Sequence, residues 1–433
     1  MVDNRAFVLA LAAFRRVTAS TGPASASPST TMTAPERRAS GSLAAVFAAR
    51  MLGLFLVLPV FALEARRYPG GDDAAMVGLA MGIYGLTQGL LQVPYGLASD
   101  RFGRKRVILL GLVVFAVGSM VGAAAPSLGW LIAGRALQGA GAISAAVTAL
   151  LADLTRDAVR TKAMALVGAS IGLMFALSLV VAPAAAAHIG LSGLFAATAV
   201  LALLCMAAIA WWTPPEPRVH SNVPRGRIAE VLRHPGLLRL NVGVFVLHSV
   251  QLAMWVALPG LLVQAGLAKA DHWTVYLPAV LASFVVMGAT LFPLERRGYL
   301  RAVFLAAIGL VGVVQLGLLA VAARPALVPL GVLLFLFFCG FNVLEATQPS
   351  LASRVAPAHA RGAALGVYNT LQSLGLFAGG AVGGWLAKHV GVAGVFAACA
   401  ALMVLWLVAA WPMRAPGRAT SAGEVLAEEA RAT

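Results

Sequence analysis

Charge is scarce in this sequence. Of 433 residues only 11% are Asp, Glu, Lys or Arg, where a soluble domain carries roughly a quarter. No water-facing surface can be built along most of such a chain. Acid is scarcer than base, 16 residues against 32, which leaves a formal net charge of +16. That excess does not mark a nucleic-acid binder, because the cations are divided among loops rather than gathered in one basic arm or face. Cysteine is nearly absent. Cys205, Cys339 and Cys399 each fall inside an apolar stretch, without the spacing of a metal site or a disulfide framework, and are expected to pack as small apolar groups. The sequence has no Walker loop, no metal-ligand cluster and no nucleophile triad. An ATP-driven pump and an enzyme are therefore excluded, and neither a cofactor nor a metal is expected.

What is present is apolar sequence, 60% of the chain. A bilayer core about 30 Å thick needs roughly 20 apolar residues per helical span. Reading apolar runs against charged punctuation places spans 1 to 6 at 42–63, 75–98, 107–125, 129–152, 162–187 and 191–212. Spans 7 to 12 fall at 239–264, 273–293, 301–323, 326–351, 362–387 and 392–411. The expected fold is an all-α membrane protein of twelve transmembrane helices in two pseudo-symmetric six-helix halves, 42–212 and 239–411, joined by a Pro- and Arg-rich cytoplasmic linker, 213–238. Residues 1–41 are expected to be a disordered cytoplasmic leader, since the apolar run Ala6 to Phe14 is too short to span and lacks a signal-peptide cleavage site. Met32 is a candidate start alongside Met1, and residues 412–433 read as a short cytoplasmic tail.

Positive residues are retained in cytoplasmic loops. Placing both termini inside puts 25 of the 32 Lys and Arg in cytoplasmic segments and five outside (Arg66, Arg67, Lys269, Arg324, Lys388), with Arg50 and Arg135 within spans. A multi-pass bacterial inner-membrane protein with both termini cytoplasmic is expected, most simply a monomer.

The strongest local pattern lies between spans 2 and 3: Gly96-Leu97-Ala98-Ser99-Asp100-Arg101-Phe102-Gly103-Arg104-Lys105-Arg106. Gly103 suits a tight turn between antiparallel helices, and Gly96 suits close packing at the end of span 2. The stretch resembles the signature loop of the major facilitator superfamily, Gly-x-x-x-Asp-Arg-x-Gly-Arg-Arg/Lys. The resemblance implies that Asp100 faces the start of span 11 near Arg361 and Gly362, joining the halves when the cytoplasmic side is closed. It also implies a charge cluster of Asp100, Arg104 and Asp153. The loop after span 8 repeats the pattern as Glu295-Arg296-Arg297-Gly298, acid-Arg-x-Gly at the equivalent place, as expected of two parallel repeats.

Span 4 carries Arg135-Ala136-Leu137-Gln138-Gly139-Ala140-Gly141, which resembles the family's Arg-x-x-x-Gly-x-Gly element. A guanidinium in hydrocarbon is costly, so Arg135 is expected to face a cavity or a partner. Span 5, with Gly168 and Gly172 before Pro183, resembles the antiporter motif of drug exporters, although its Gly-Pro-x-x-Gly-Gly end is replaced by Ala182-Pro183-Ala184-Ala185-Ala186-Ala187. Its small residues suit close packing. Stretches such as Ala49-Arg50-Met51-Leu52-Gly53, Gly82 to Gln88, Asp153 to Arg156 and Gly366-Val367-Tyr368 are similar to the YajR-type subgroup, without that subgroup's C-terminal soluble domain.

Ionisable groups inside the spans are few. Arg50 lies in span 1, and in span 10 Glu345 sits near Asn342 and Gln348. A buried carboxylate is suited to loading and releasing a proton, so Glu345 is the first candidate for coupling and His248 of span 7 the second. Tyr84, Gln88 and Gln92 of span 2, Gln251 and Trp255 of span 7, and Tyr368, Asn369 and Gln372 of span 11 offer polar or aromatic contacts to a substrate. Together with the resemblance, these residues imply a proton-coupled secondary transporter, with export of amphipathic small molecules as the leading expectation. A metabolite or sugar importer on the same fold, or a transport-silent membrane sensor, are the alternatives. The partners expected are the lipid bilayer, a small-molecule substrate and protons, with no nucleic acid.

Overall fold

The computed structural model describes residues 31–216, 228–357 and 360–413. The expected leader up to residue 30, the middle of the linker and the tail beyond 413 lie outside the described residues. Every regular element among the described residues is helical, as lipid requires of a chain whose peptide groups must all be satisfied internally.

Among the described residues, ten helical stretches are long and apolar enough to cross a membrane. One of them, Lys162–Trp212, runs for 51 residues, about twice what a bilayer needs. It changes direction at Gly190, whose φ of 64° an L side chain resists, and so holds spans 5 and 6. Arg361–His389, 29 residues long and diluted by glycine and amide residues, completes twelve as span 11. The others are span 1 (Ala34–Phe55 and Leu58–Glu64), span 2 (Ala74–Phe102), span 3 (Arg104–Ala123) and span 4 (Leu128–Ala140 and Ser144–Asp153). Beyond the linker come span 7 (Pro235–Gln264), span 8 (Trp273–Arg296), span 9 (Leu300–Val321), span 10 (Leu327–Val355) and span 12 (Val392–Ala410).

Two boundaries and two breaks depart from the sequence expectation. Span 1 begins at Ala34 rather than at residue 42, because Thr33 and Glu36 form a reciprocal capping box over its first turn. It then breaks at Leu56 and Val57, where Pro59 has no N–H to offer the preceding turn. Span 4 is likewise interrupted at 141–143, and the linker region ends earlier than residue 238 because span 7 starts at Pro235 under a cap from His234. Large apolar side chains such as Leu110, Val113, Val117 and Met120 of span 3 are exposed along a helical face. That outward apolar face is the lipid boundary.

The two halves meet at one end of the bundle, away from the Asp100 loop. Spans 2 and 11 run antiparallel with glycine against glycine. A Cβ on Gly78 would lie 2.2 Å from the Gly380 carbonyl oxygen, one on Gly82 2.7 Å from that of Phe377, and one on Gly384 2.5 Å from that of Ala74. Toward the Asp100 end this seam loosens: Gly362 and Gly366 have nothing within 4 Å of such a Cβ, and Leu90, Leu97 and Phe102 are exposed. Span 7 packs on the second segment of span 1. Ion pairs from Glu64 to Lys269 and from Asp73 to Lys388 also tie the halves at that far end. Gly168 and Gly172 of span 5, expected to pack closely, have open space beside them, because they lie on the side where the halves stand apart.

Candidate functional site

The Asp100 loop and its counterpart after span 8 each turn at a glycine of positive φ. Gly103 has φ 100° and Gly298 φ 88°, so the repeated acid-Arg-x-Gly pattern places its glycine in the left-handed region in both halves. Arg104 pairs with Asp100 at its own helix end and donates from Nε to Asp153 Oδ2 of span 4 (3.1 Å). The three residues therefore form one cluster, and Arg101 lies outside it, exposed over the Phe102 ring. Lys105 has a different job. Its Nζ donates to the Thr213 carbonyl (2.6 Å) just beyond span 6, where a cation satisfies carbonyls that the helix leaves open. Arg301, the second residue of span 9 as Lys105 is of span 3, donates in the same way to the carbonyls of Trp411 and Met413 beyond span 12. Gly96, expected to allow close packing, meets only Ala145 at an ordinary 3.7 Å. Much closer backbone approaches occur at Gly78 and Gly139, where a Cβ would lie 2.2 and 2.1 Å from a carbonyl oxygen.

In the first half the two embedded arginines are fully enclosed, 1% exposed each. Arg50 donates to Tyr84 Oη (2.8 Å), to Ser144 Oγ (3.3 Å) and to the Gly141 carbonyl (3.3 Å). That carbonyl is one the break in span 4 leaves without a helical partner, so the guanidinium caps the break. Arg135 donates to Gln138 Oε1 and to the Met81 carbonyl (both 3.2 Å) and lies over the Tyr84 ring. Gln138 in turn donates to Ser119 (2.9 Å). Gly139 and Gly141 let span 4 slot between spans 2 and 3, since Cβ atoms there would sit 2.1 Å from the Tyr84 and 2.4 Å from the Gly111 carbonyl oxygens. Arg50, Arg135, Gln138 and Tyr84 are thus an internal hydrogen-bonded frame and line no open space.

The second half gathers the candidates for chemistry. His248 of span 7, Glu345 of span 10 and Gln372 of span 11 meet in a triad. Gln372 Nε2 lies 2.7 Å from His248 Nε2 and 3.2 Å from Glu345 Oε1, and His248 Nε2 lies 3.4 Å from Glu345 Oε2. The other ring nitrogen of His248, Nδ1, is 2.9 Å from the Val244 carbonyl. The His248 side chain is 5% exposed and that of Glu345 39%, so the carboxylate is the member open to exchange. Asn342, one turn from Glu345, turns away and donates to Ser283 Oγ of span 8 (2.8 Å). Gln372 is next to Ser373, whose hydroxyl accepts from Gln88 Nε2 of span 2 (3.1 Å), a hydrogen bond between the halves.

Several buried polar atoms of spans 2, 7, 10 and 11 have no hydrogen-bond partner in the protein: Tyr368 Oη, both amide atoms of Gln348 and of Gln92, and Trp255 Nε1. Buried polar groups are ordinarily satisfied, so water or a solute is the natural complement here. Gln251 is buried on the same span as His248. Two small cavities, about 250 and 180 Å³, lie elsewhere in this half and include no triad residue. Among the described residues no cluster of His, Cys, Asp or Glu could hold a metal.

Sequence reasoning missed Ser373, the glycine seam and the far-end pairs. The i, i+4 glycines of spans 2 and 11 were a usable signal; Glu64, 1% exposed beside Lys269, had none.

Comparison with known proteins bears on these features. The sequence model of the Major Facilitator Superfamily matches residues 41–380 and 294–431. The chain is 43% identical to the inner membrane transport protein YajR of Escherichia coli (strain K12) over 390 residues, covering 89% of this chain and 85% of that protein. It is 27% identical to the multidrug resistance protein MdtH of Shigella boydii serotype 4 (strain Sb227) over 353 residues, 78% of this chain and 83% of the relative. Among solved structures it resembles the human organic anion transporter MFSD10 (TETRAN), with TM-score 0.64 and 19% identity over 87% of this chain and 100% of that one, a likeness of fold alone.

Proposed function

The chain belongs to the Major Facilitator Superfamily and is a multi-pass membrane transporter; from that premise we propose that it exports amphipathic small molecules in exchange for protons across a bacterial inner membrane. The observation that carries this reading is the His248–Glu345–Gln372 triad. It holds the one carboxylate among the second half's interior candidates at hydrogen-bonding distance from an imidazole, with access for exchange. A proton bound there alters the electrostatics at half-height, between two bodies that are closed at the far end and apart at the Asp100 end.

Both termini and the Asp100 loop face the cytoplasm in this reading, in line with the 25 of 32 cations on that side. The arrangement is then open inward, poised to take a solute from the cytoplasm or the inner leaflet. Alternating access rocks the halves about the midplane: the far-end seam opens as the Asp100 cluster closes on the start of span 11. Interior groups that are aromatic or amide, such as Trp255, Tyr368 and Gln92, favour amphipathic organic solutes over phosphates. The multidrug-resistance name of one relative agrees with that class. No partner chain is required, and the transporter works as a monomer.

The experiment is reconstitution in liposomes with an imposed pH gradient and a panel of lipophilic dyes. Movement of at least one dye against its own gradient, driven by protons moving the opposite way, supports the reading. Movement with protons in the same direction makes the protein an importer, and no dependence on the gradient removes proton coupling.

A further inference from the structure

The hydrogen count of the triad singles out Gln372. His248 Nδ1 faces the Val244 carbonyl at 2.9 Å, and a carbonyl only accepts, so Nδ1 carries the ring's proton in the neutral state. His248 Nε2 is then a lone pair. The Gln372 amide has two hydrogens, and its nitrogen is in reach of two acceptors, His248 Nε2 at 2.7 Å and Glu345 Oε1 at 3.2 Å. One arrangement satisfies both: neutral imidazole, ionised carboxylate, and Gln372 donating to each. Glu345 Oε2 is left over, enclosed and without a donor, 3.4 Å from His248 Nε2.

A proton arriving at this gap has two places to go. On Glu345 Oε2 it is donated to the His248 Nε2 lone pair, which Gln372 must then release. On His248 Nε2 it makes an N–H that opposes the Gln372 N–H at 2.7 Å, donor against donor, and the amide must turn or withdraw. Either site of protonation therefore breaks the same bond, the one from Gln372 to His248.

Gln372 is placed to pass that change on. Its neighbour Ser373 accepts from Gln88 of span 2 at 3.1 Å, and span 11 packs its glycines on span 7 at Phe245 and Ser249 and on span 2 at Gly78 and Gly82. We propose that Gln372 is the positioning residue that converts protonation of the His248–Glu345 pair into movement of span 11 along its seam with span 2. This rests on the proton-coupling reading and goes beyond it by naming the element that moves. The bound proton needs no other co-reactant, since it enters and leaves as H⁺ and no covalent bond to carbon changes.

The test needs no transported solute. Spin labels at Phe102→Cys and Arg361→Cys, both exposed positions, report the distance between the Asp100 ends of spans 2 and 11 in lipid nanodiscs; the three native thiols are buried. The distance is followed from about pH 5 to about pH 8, the range in which an unperturbed imidazole changes charge. The wild-type distribution is expected to shift with pH, Glu345→Gln to be insensitive to pH, and Gln372→Met, similar in shape but unable to donate, to lose most of the pH response. Gln372→Met responding like the wild type overturns the inference while leaving the proton site intact. A wild-type chain with no pH response overturns the proton-coupling reading itself. Ser373→Ala, which removes the acceptor for Gln88 together with a local bond to the Asn369 carbonyl, provides the second variant if Gln372→Met does not fold, and it is expected to reduce the pH response; an undiminished response contradicts the relay.

Discussion

The carbonyl oxygen of Gly78 lies 2.5 Å from where a Cβ on Gly380 would stand, and the two residues belong to different halves of the molecule. No L side chain fits there without moving backbone. The seam of spans 2 and 11 at the far end exists only because both faces are glycine.

Gly380→Ala is expected to part that seam. Overpacking a closed contact costs about 1–3 kcal/mol, all of it charged to the conformation in which the far end is shut. The variant should insert and fold, but populate the opposite, outward-open conformation. Cysteine labelling of a reporter at Asp72 measures this: faster labelling in Gly380→Ala than in wild type is expected, and an equal rate contradicts the seam's role.

Glu64 is 1% exposed and ion-paired to Lys269 across the halves. Arg67, from the same half, also pairs with Glu64 at 3.3 Å, so Lys269→Met leaves the enclosed carboxylate with the exposed Arg67 alone. An under-compensated buried charge is costly, and Lys269→Met should open the far end more than Glu64→Gln with Lys269→Met together. A double-mutant cycle on labelling rate checks it. The second far-end pair differs in kind. The Lys388 ammonium beside Asp73 holds that carboxyl below its ordinary 3.8. A depressed carboxyl contributes its attraction above the ordinary value and loses it only as pH falls through the depressed one. The Asp73 carboxyl therefore stays ionised above about pH 5, and Asp73→Asn should leave the pH profile of transport unchanged in shape.

At the Asp100 loop the cations separate by role. Arg104 serves two carboxylates, Asp100 and Asp153, with charge-assisted bonds worth about 1.5–3 kcal/mol each. Arg104→Gln and Asp100→Asn should reduce transport about tenfold or more while leaving the amount of folded protein unchanged. Lys105→Gln, which loses the bond to the Thr213 carbonyl, should instead lower thermal stability with little change in transport per folded molecule. Flux normalised to folded protein, beside melting curves, distinguishes the two.

Arg50 is the largest departure from what its position in the sequence suggests. An embedded arginine is ordinarily a functional candidate, but both terminal nitrogens of Arg50 are engaged by Tyr84, Ser144 and the Gly141 carbonyl, and only its Nε is left without a partner. Arg50→Met should lower Tm by several degrees, because Tyr84 and Ser144 lose their donor at about 1–3 kcal/mol each, while the Gly141 carbonyl keeps only the Ile143 N–H. The surviving folded fraction should keep the wild-type pH profile, and a shifted profile would assign Arg50 to coupling after all.

These residues also mark how far sequence alone reaches. Hydropathy and charge punctuation locate the spans because lipid imposes one rule on every residue of a helix. The Gly103 and Gly298 turns are legible because a positive φ demands glycine at a fixed place in the repeat. The break in span 4 is not, since Gly141 reads like any small residue until Arg50 is seen on its carbonyl. Glu345 and His248 stand out as rare ionisable groups. Their meeting through Gln372 depends on how spans 7, 10 and 11 rotate against one another, which no local pattern specifies. The glycine seam was half legible: the i, i+4 spacing is visible in each span, but not that the two stripes face each other.

The central claim is that Glu345 takes up the proton that drives transport. It is tested most directly by measuring solute-coupled proton movement in liposomes with an internal pH dye, for wild type and Glu345→Gln at equal protein. The account predicts a proton signal that accompanies dye transport in the wild type and is absent in Glu345→Gln, whose residual transport no longer depends on pH; a Glu345→Gln protein that still moves protons with its solute at the wild-type ratio contradicts it.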